Sequence, residues 1–376
     1  MRIDLYSLTF EQLSDLLVEW GEPSWRARQI WQWLYRHLAA DPAEMTNLSL
    51  PLREQLSRAA RVGGLTRVDV QRSADEKTEK WLFQLPDGET IETVLMSYQR
   101  RTPGRTLCIS CQVGCAMGCV FCATGQMGLA RHLTAGEIIA QVLTFERDLR
   151  RWGSKLTNVV LMGMGEPLHN YDATIEAVRR LLDPAGFGLG ARRITISTVG
   201  LVPRIRQLAA EGLQVGLAIS LHAATDALRT TLVPAARRWS VAELVAAGRD
   251  YSERTGRRTT YEWALIKGVN DTPEQAHALG GLVAGMLCHV NLIPLNPAAP
   301  YNGQRPRPQE ITGFQEILTS YRVPHTLRQR RGIDIEAGCG QLRRRRINDT
   351  RNKSLTGKPD DPPVASLARS HSTRYH

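Results

Sequence analysis

Cys108-Ile-Ser-Cys-Gln-Val-Gly-Cys-Ala-Met-Gly-Cys-Val-Phe-Cys122 holds five of the chain's seven cysteines. Within it Cys115, Cys119 and Cys122 form a C-x3-C-x2-C run. A structural zinc site calls for four closed ligands, usually in two C-x2-C pairs. Three thiolates with no fourth at matching distance suit a cubane iron–sulfur cluster that leaves one iron open. An open iron calls for a further ligand, and the reactant is the natural candidate.

The rest of the composition bounds what surrounds this stretch. A chain of 376 residues accommodates one large domain and a smaller one. No run of eighteen apolar residues and no apolar segment behind Met1-Arg2 is present, so neither a transmembrane helix nor a signal peptide is expected. Clustered free cysteines then point to a reducing compartment, the cytoplasm. The net charge of +11 suggests a polyanionic partner, nucleic acid first.

Outward from the cysteines the periodicity changes twice. Phe10, Leu13, Leu16 and Leu17 share a helical face. A second helix, expected with Pro23 near its start, interleaves Trp25, Ile30, Trp31, Trp33 and Leu34 with Arg26, Arg28 and Arg36. Such a mixture either packs a small core or stacks on RNA bases, on different faces. Thr66–Gln71, Lys80–Leu85 and Glu92–Met96 read as strands, with Pro86-Asp-Gly88 turning the last pair. Beyond Cys122 strands and helices alternate, beginning with a capping box at Thr134-Ala-Gly-Glu137. With Thr106–Ile109 as the first strand, six βα units are expected, a parallel sheet clothed by helices. Six fall short of the eight that close a full barrel. The expected organisation is residues 1–97 as an accessory RNA-binding segment of helices and strands and 98–347 as the core. Residues 348–376, rich in Pro, Ser and charge, are expected to form a disordered tail. The run Arg343–Arg346 is placed either against phosphates or in solvent.

In parallel βα folds ligands sit at the C-terminal ends of the strands. Gly165 and Glu166 follow the second strand, Ser197 ends the third, Ser220 and His222 the fourth, and Asn296 the sixth. Cys339, between two glycines, reads as an exposed loop thiol; Cys288, inside an apolar strand, reads as packing.

C-x3-C-x2-C with Phe121 before the last cysteine resembles the radical S-adenosylmethionine (SAM) superfamily. Its partial (β/α)6 barrel fits the unit count. A closer likeness is carried by Gln112–Cys119, Cys122-Ala-Thr-Gly125, Met164–Leu168, Ser197–Gly200, Ser220–Ala223, Leu292–Pro297 and Ala337–Leu342. Together these resemble the RlmN family of dual-specificity 23S rRNA and tRNA adenine-C2 methyltransferases. The resemblance implies a 4Fe-4S cluster on Cys115, Cys119 and Cys122. It implies SAM on Gly165, Glu166, Ser197, Ser220, Leu221, His222 and Asn296. Cys339 would carry the methyl group, Cys108 would be its partner thiol, and Glu92 the proton acceptor. An external flavodoxin- or ferredoxin-type electron donor and a monomeric enzyme are the family expectation. Cys111 stands where the family usually has serine, either an inert thiol or a competitor of Cys108. The related C8-adenine methyltransferases of antibiotic resistance share the cluster and both thiols. A protein-activating radical SAM enzyme would not need Cys339, and an RNA-binding protein with structural zinc would not cleave SAM.

Overall fold

The computed structural model describes residues 2–98, 104–296 and 298–343. The expected tail and Arg344–Arg346 lie outside the described residues.

Alternation of small polar with apolar residues shapes one sheet of ten strands. In chain order these are β1 (Thr66–Arg72), β2 (Thr78–Gln84), β3 (Thr90–Tyr98), β4 (Gly104–Cys108) and β5 (Asn158–Leu161). They continue with β6 (Ile194–Thr198), β7 (Gly216–Ser220), β8 (Thr259–Leu265), β9 (Cys288–Pro294) and β10 (His325–Leu327). Each strand pairs with its neighbour in sequence. The first four are antiparallel; from β4 to β10 all pairings are parallel. Side chains on successive residues face opposite sides of a strand. Ile194, Ile196, Leu217, Ile219, Tyr261, Trp263, Val290 and Leu292 are buried, on the face away from the lumen. The opposite set, Thr195, Ala218, Thr260, Glu262 and Asn291, lines a cavity inside the curl of the sheet.

Before the sheet come helices α1 (Phe10–Glu19), α2 (Arg26–Tyr35) and α3 (Leu50–Ala59). The others are α4 (Ala123–Gln126), α5 (Ala135–Arg151), α6 (Tyr171–Leu182), α7 (Val202–Ala210) and α8 (Asp226–Leu232). The series ends with α9 (Val241–Thr255), α10 (Pro273–Val283) and α11 (Pro308–Ser320).

The six expected parallel strands are all present, and two features go beyond them. β10 adds a seventh; with three residues, one of them apolar, it is too short to show a period. The strands expected in the accessory segment continue the barrel's sheet, because β3 pairs with β4 from Val94↔Cys108 to Tyr98↔Gly104. One expectation needs correcting: Pro23 is not in α2. It lies in the preceding turn, where its carbonyl accepts the Arg26 N–H at 2.9 Å.

The N-terminal helices share the main hydrophobic core, through Leu13, Leu17, Ile30, Trp31, Leu34 and Leu56. Polar contacts fix their seating. Trp31 Nε1 donates to Asp183 at 2.9 Å. Arg180 donates to the Tyr6 carbonyl at 2.7 Å, and Arg147 to those of Leu38 and Ala39 at 2.6 and 3.0 Å. The aromatic–arginine mixture of α2 separates by face. Ile30, Trp31 and Leu34 are buried, whereas Trp25 is 56% exposed with the Arg26 guanidinium 4.2 Å over its ring.

The capping box of α5 is formed. Thr134 Oγ1 accepts from Glu137 N at 3.2 Å and Glu137 returns the bond to Thr134 N at 2.9 Å. Thr134→Ala should therefore cost about 1 kcal/mol, read as a lowered urea midpoint with an unchanged m-value.

Candidate active site

Seven parallel strands deliver their C-terminal ends to one rim, and the cysteine loop folds over it. The loop leaves β4, and a short hairpin, Gln112–Gly114 against Leu129–His132, closes it. Cys115 N donates to Gly128 O at 2.9 Å and Val120 N to Leu232 O at 3.0 Å. Gln126, in the single turn of α4, holds the Cys119 carbonyl at 3.0 Å. Phe121 stands edge-on to His222, with ring centroids 4.8 Å apart.

Cys115, Cys119 and Cys122 line a cavity of about 160 Å³ together with Gly165, Glu166, Ser197, Ser220, His222, Asn296 and Cys339. Leu221 is fully buried and does not line it; its carbonyl accepts from Arg229 Nε at 3.0 Å. Burial pushes the Cys115 thiol up to about 12 and the Cys119 and Cys122 thiols upward as well. Three thiolates in such surroundings need compensating positive charge. Among the described residues no three His, Cys, Asp or Glu side chains gather around a single ion. The three thiols line one cavity, a soft donor set of the kind that holds an iron–sulfur cluster.

Glycine admits the neighbours this closely. Gly165 has φ +108°, and a Cβ there would lie 2.6 Å from Gln112 Cβ. Glu166, beside it, is buried. Its oxygens accept from Leu168 N at 3.0 Å and Val199 N at 2.8 Å. His222, also at positive φ, accepts the Ala264 N–H on Nδ1 at 3.0 Å. Burial first, then Arg229, lowers its pKa to about 3, so the ring is neutral.

Asn296 grips the segment that carries Cys339. Its Nδ2 donates to the Cys339 carbonyl at 3.2 Å and its Oδ1 accepts from Arg330 Nε at 3.0 Å. Ala123 N donates to Gly340 O at 2.7 Å, and Thr124 Oγ1 to Leu342 O. Cys339 itself is exposed. It also lines a second, larger cavity of about 710 Å³, which runs down the lumen and includes Cys108 on its wall. Cys108 is buried and its thiol pushed up to about 12, by burial and then by Cys339, with Arg328 opposing. All seven cysteines are free thiols. Cys111 lines neither cavity; its thiol donates to Met164 O at 3.7 Å. Cys288 is buried and its thiol donates to Val283 O at 3.7 Å, the packing role expected.

Glu92 lies on the lumen face of β3 but lines neither cavity. Its carboxylate is 3.4 Å from Lys80 Nζ and accepts the Arg343 N–H at 2.9 Å, beneath the Cys339 segment.

Three residues at the rim escaped the sequence reading. Arg229, 1% exposed, donates to the carbonyls of Leu221 at 3.0 Å and Ser220 at 3.2 Å, and to that of Val199. Arg328 and Glu262 line both cavities. Glu262 left a signal, a carboxylate in the otherwise apolar run Tyr261-Glu-Trp-Ala-Leu265; the two arginines left none.

Burial raises the Glu166 pKa from 4.5 to about 7, against three hydrogen bonds that lower it. A raised acid stabilises the fold in its protonated form. That contribution is complete below 4.5 and lost as pH rises through about 7. Between about pH 4.5 and pH 8 the ligand-free protein should lose about 3 kcal/mol relative to Glu166→Gln, measured by urea unfolding of both proteins. A pH-independent difference would contradict this assignment.

The radical SAM superfamily model matches residues 109–279, and the ribosomal RNA large subunit methyltransferase N-terminal domain model matches residues 3–62. The dual-specificity RNA methyltransferase RlmN 1 of Myxococcus xanthus is 54% identical over 340 residues, covering 90% of this chain and 94% of that protein. A probable dual-specificity RNA methyltransferase RlmN of Symbiobacterium thermophilum is 48% identical, covering 92% of each. Among solved structures, a radical SAM methyltransferase from Sphaerobacter thermophilus superposes with a TM-score of 0.87 at 51% identity, covering 91% of this chain and 99% of that one.

Proposed function

Since the chain belongs to the RlmN family of radical SAM RNA methyltransferases, we propose that it methylates C2 of an adenine in 23S rRNA and in tRNA through a methyl group carried on Cys339. The observation that carries this reading is the shared position of Cys339. It lines the cavity of the three clustered thiols and the cavity that contains Cys108.

Cys115, Cys119 and Cys122 would hold a 4Fe-4S cluster. Gly165, Glu166, Ser197, Ser220, His222 and Asn296 line the space for SAM; Leu221, expected with them, does not, its backbone N–H donating to Glu262 O and its carbonyl accepting from Arg229. When bound, the cluster supplies the electron that cleaves SAM to a 5′-deoxyadenosyl radical, and a flavodoxin- or ferredoxin-type donor refills it. The residues of the chain do the rest. Adenine C2 is electrophilic, so it cannot take a methyl cation equivalent from a sulfonium. Cys339 thiolate takes the methyl group first, by displacement. The S-methyl group then gives a hydrogen atom to the 5′-deoxyadenosyl radical, its carbon adds to C2, and the radical adduct returns one electron to the donor system. The proton at C2 leaves to a base, the role expected of Glu92, which as folded lines neither cavity and is engaged by Lys80 and the Arg343 N–H. Cys108 thiolate attacks the Cys339 sulfur; the S–C bond breaks, its electron pair and a proton complete the methyl group on adenine, and a Cys108–Cys339 disulfide is left. Both displacement steps need thiolate. At Cys108 burial opposes ionisation and Arg328 favours it.

RNA contacts fall to the basic surface and to Trp25 with Arg26, Arg28 and Arg36, of which Trp25, Arg28 and Arg36 are exposed. Stacking and phosphate contacts at such a face read shape and unstacked bases. The enzyme acts as a cytoplasmic monomer. No helix among the described residues is long and apolar enough to cross a membrane.

Replacing Cys115, Cys119 or Cys122 by Ala should remove the brown chromophore and 5′-deoxyadenosine formation. Cys108→Ala should still take label from methyl-labelled SAM onto Cys339 and should accumulate a covalent protein–RNA adduct on denaturing gels. Cys339→Ala should give neither label nor adduct. Methylated adenine from Cys339→Ala would falsify the methyl-cysteine route, and mass spectrometry of wild-type product fixes the methylated carbon.

A further inference from the structure

Glu262 has no part in that scheme, yet its carboxylate is the most exacting buried group at the junction of the two cavities. It sits on the lumen face of β8, 4% exposed. Thr260 below it lines the larger cavity alone and Ala264 above it the smaller alone; Glu262 lines both. Its Oε1 accepts from Asn291 Nδ2 at 3.1 Å. Its Oε2 is buried with no hydrogen-bond partner. Arg328 Nη1 lies 3.9 Å from that oxygen, close enough to offset charge and too far to donate. Buried carboxylate oxygens rarely stand without a donor, and such an exception calls for a missing one.

The position says which donor. Six residues line both cavities: Met162, Glu262, Ile293, Asn296, Arg328 and Cys339. A methyl group on Cys339 would stand at this junction. An adenine accepting that carbon must therefore bring C2 here, entering through the larger cavity. Next to C2 in the ring is the acceptor N1, and beyond N1 the carbon that bears the amino group. One edge of the base thus offers an acceptor and an N–H donor close to the reacting atom. Arg328 and Glu262 offer the complementary donor and acceptor.

On the adenine substrate proposed above, we infer that Glu262 reads the base, Oε2 accepting an N–H of the 6-amino group while the Arg328 guanidinium faces N1. Guanine would set its 6-oxygen against the carboxylate, so the same contact excludes it. The specificity follows from leaving a buried oxygen unpaired with the wrong base.

The test pairs the protein with two RNA fragments, identical except that the target carries adenosine or purine riboside, which lacks the amino group. Wild type should favour adenosine by roughly ten- to a hundredfold in kcat/KM, the range of a hydrogen bond to a charged group. Glu262→Leu should bring the two RNAs together, and Glu262→Gln, which keeps an acceptor without the charge, should fall between. The readout is the ratio between the two RNAs within each variant, with methyl transfer to Cys339 without RNA and SAM affinity by calorimetry measured alongside. Should Glu262→Leu fail to hold the cluster chromophore, Glu262→Gln carries the comparison.

A wild-type discrimination retained in Glu262→Leu overturns the inference, as does a wild type indifferent to the amino group. Lost SAM affinity with base discrimination intact would give the free oxygen to a SAM hydroxyl, and overturns it too. A wild type that labels Cys339 and methylates neither RNA would instead sink the proposed function, a failure visible before any Glu262 variant is made.

Discussion

Parallel pairing is the constraint on which this molecule rests. Strands β4 to β10 all point one way, so the residues that follow each of them must crowd one rim. Evenly spaced parallel hydrogen bonds leave no choice of side. That is why a loop after β4, a glycine turn after β5, serines at the ends of β6 and β7, a histidine after β7 and an asparagine after β9 become neighbours. The helices return the chain to the far end each time. The cysteine loop is held over the rim by hydrogen bonds to Leu232 and Gly340, two segments widely separated from it in sequence.

Buried charge is the second organising theme. The rim gathers thiols and the carboxylates Glu166 and Glu262 in surroundings that disfavour every anion. Arg229 answers from below by satisfying carbonyls at the ends of β6 and β7. Arg328 answers from the lumen, where Cys339 and then Glu262 raise its pKa against burial. Neither arginine is bidentate to a carboxylate, so each keeps field to spare for what the cavities receive. A buried cation held only by carbonyls is weak as a stabilising device and better understood through the charges it faces.

Much of this was legible in the sequence because it is local. Capping at Thr134, the period-two strands and the C-x3-C-x2-C spacing are written within a few residues. Cys339 stood out through its flanking glycines, one of which, Gly338, could not carry a Cβ without approaching Asn296 Nδ2 to 2.7 Å. Long-range pairing was not legible. Periodicity gives a strand's faces and not its neighbours, so the joining of β3 to β4 was invisible. β10 was too short to have a period. Nothing near Glu92 announces Lys80 or Arg343, since both arrive through the fold. The Asn296 side chain was expected toward SAM, and its position at a strand end was readable; its hold on the Cys339 carbonyl was not.

The continuity of the sheet through β3 has an evolutionary meaning. Excising the first 97 residues would strip β4 of its antiparallel neighbour and bare a row of backbone donors and acceptors along an otherwise covered edge. Exposed edges of that kind recruit other strands and aggregate. The segment that begins the chain therefore cannot be exchanged as a cassette the way a tethered RNA-binding module can. On the proposed function, drift toward new RNA shapes has to proceed by resurfacing, residue by residue on outward faces such as the one around Trp25, with the backbone join left intact.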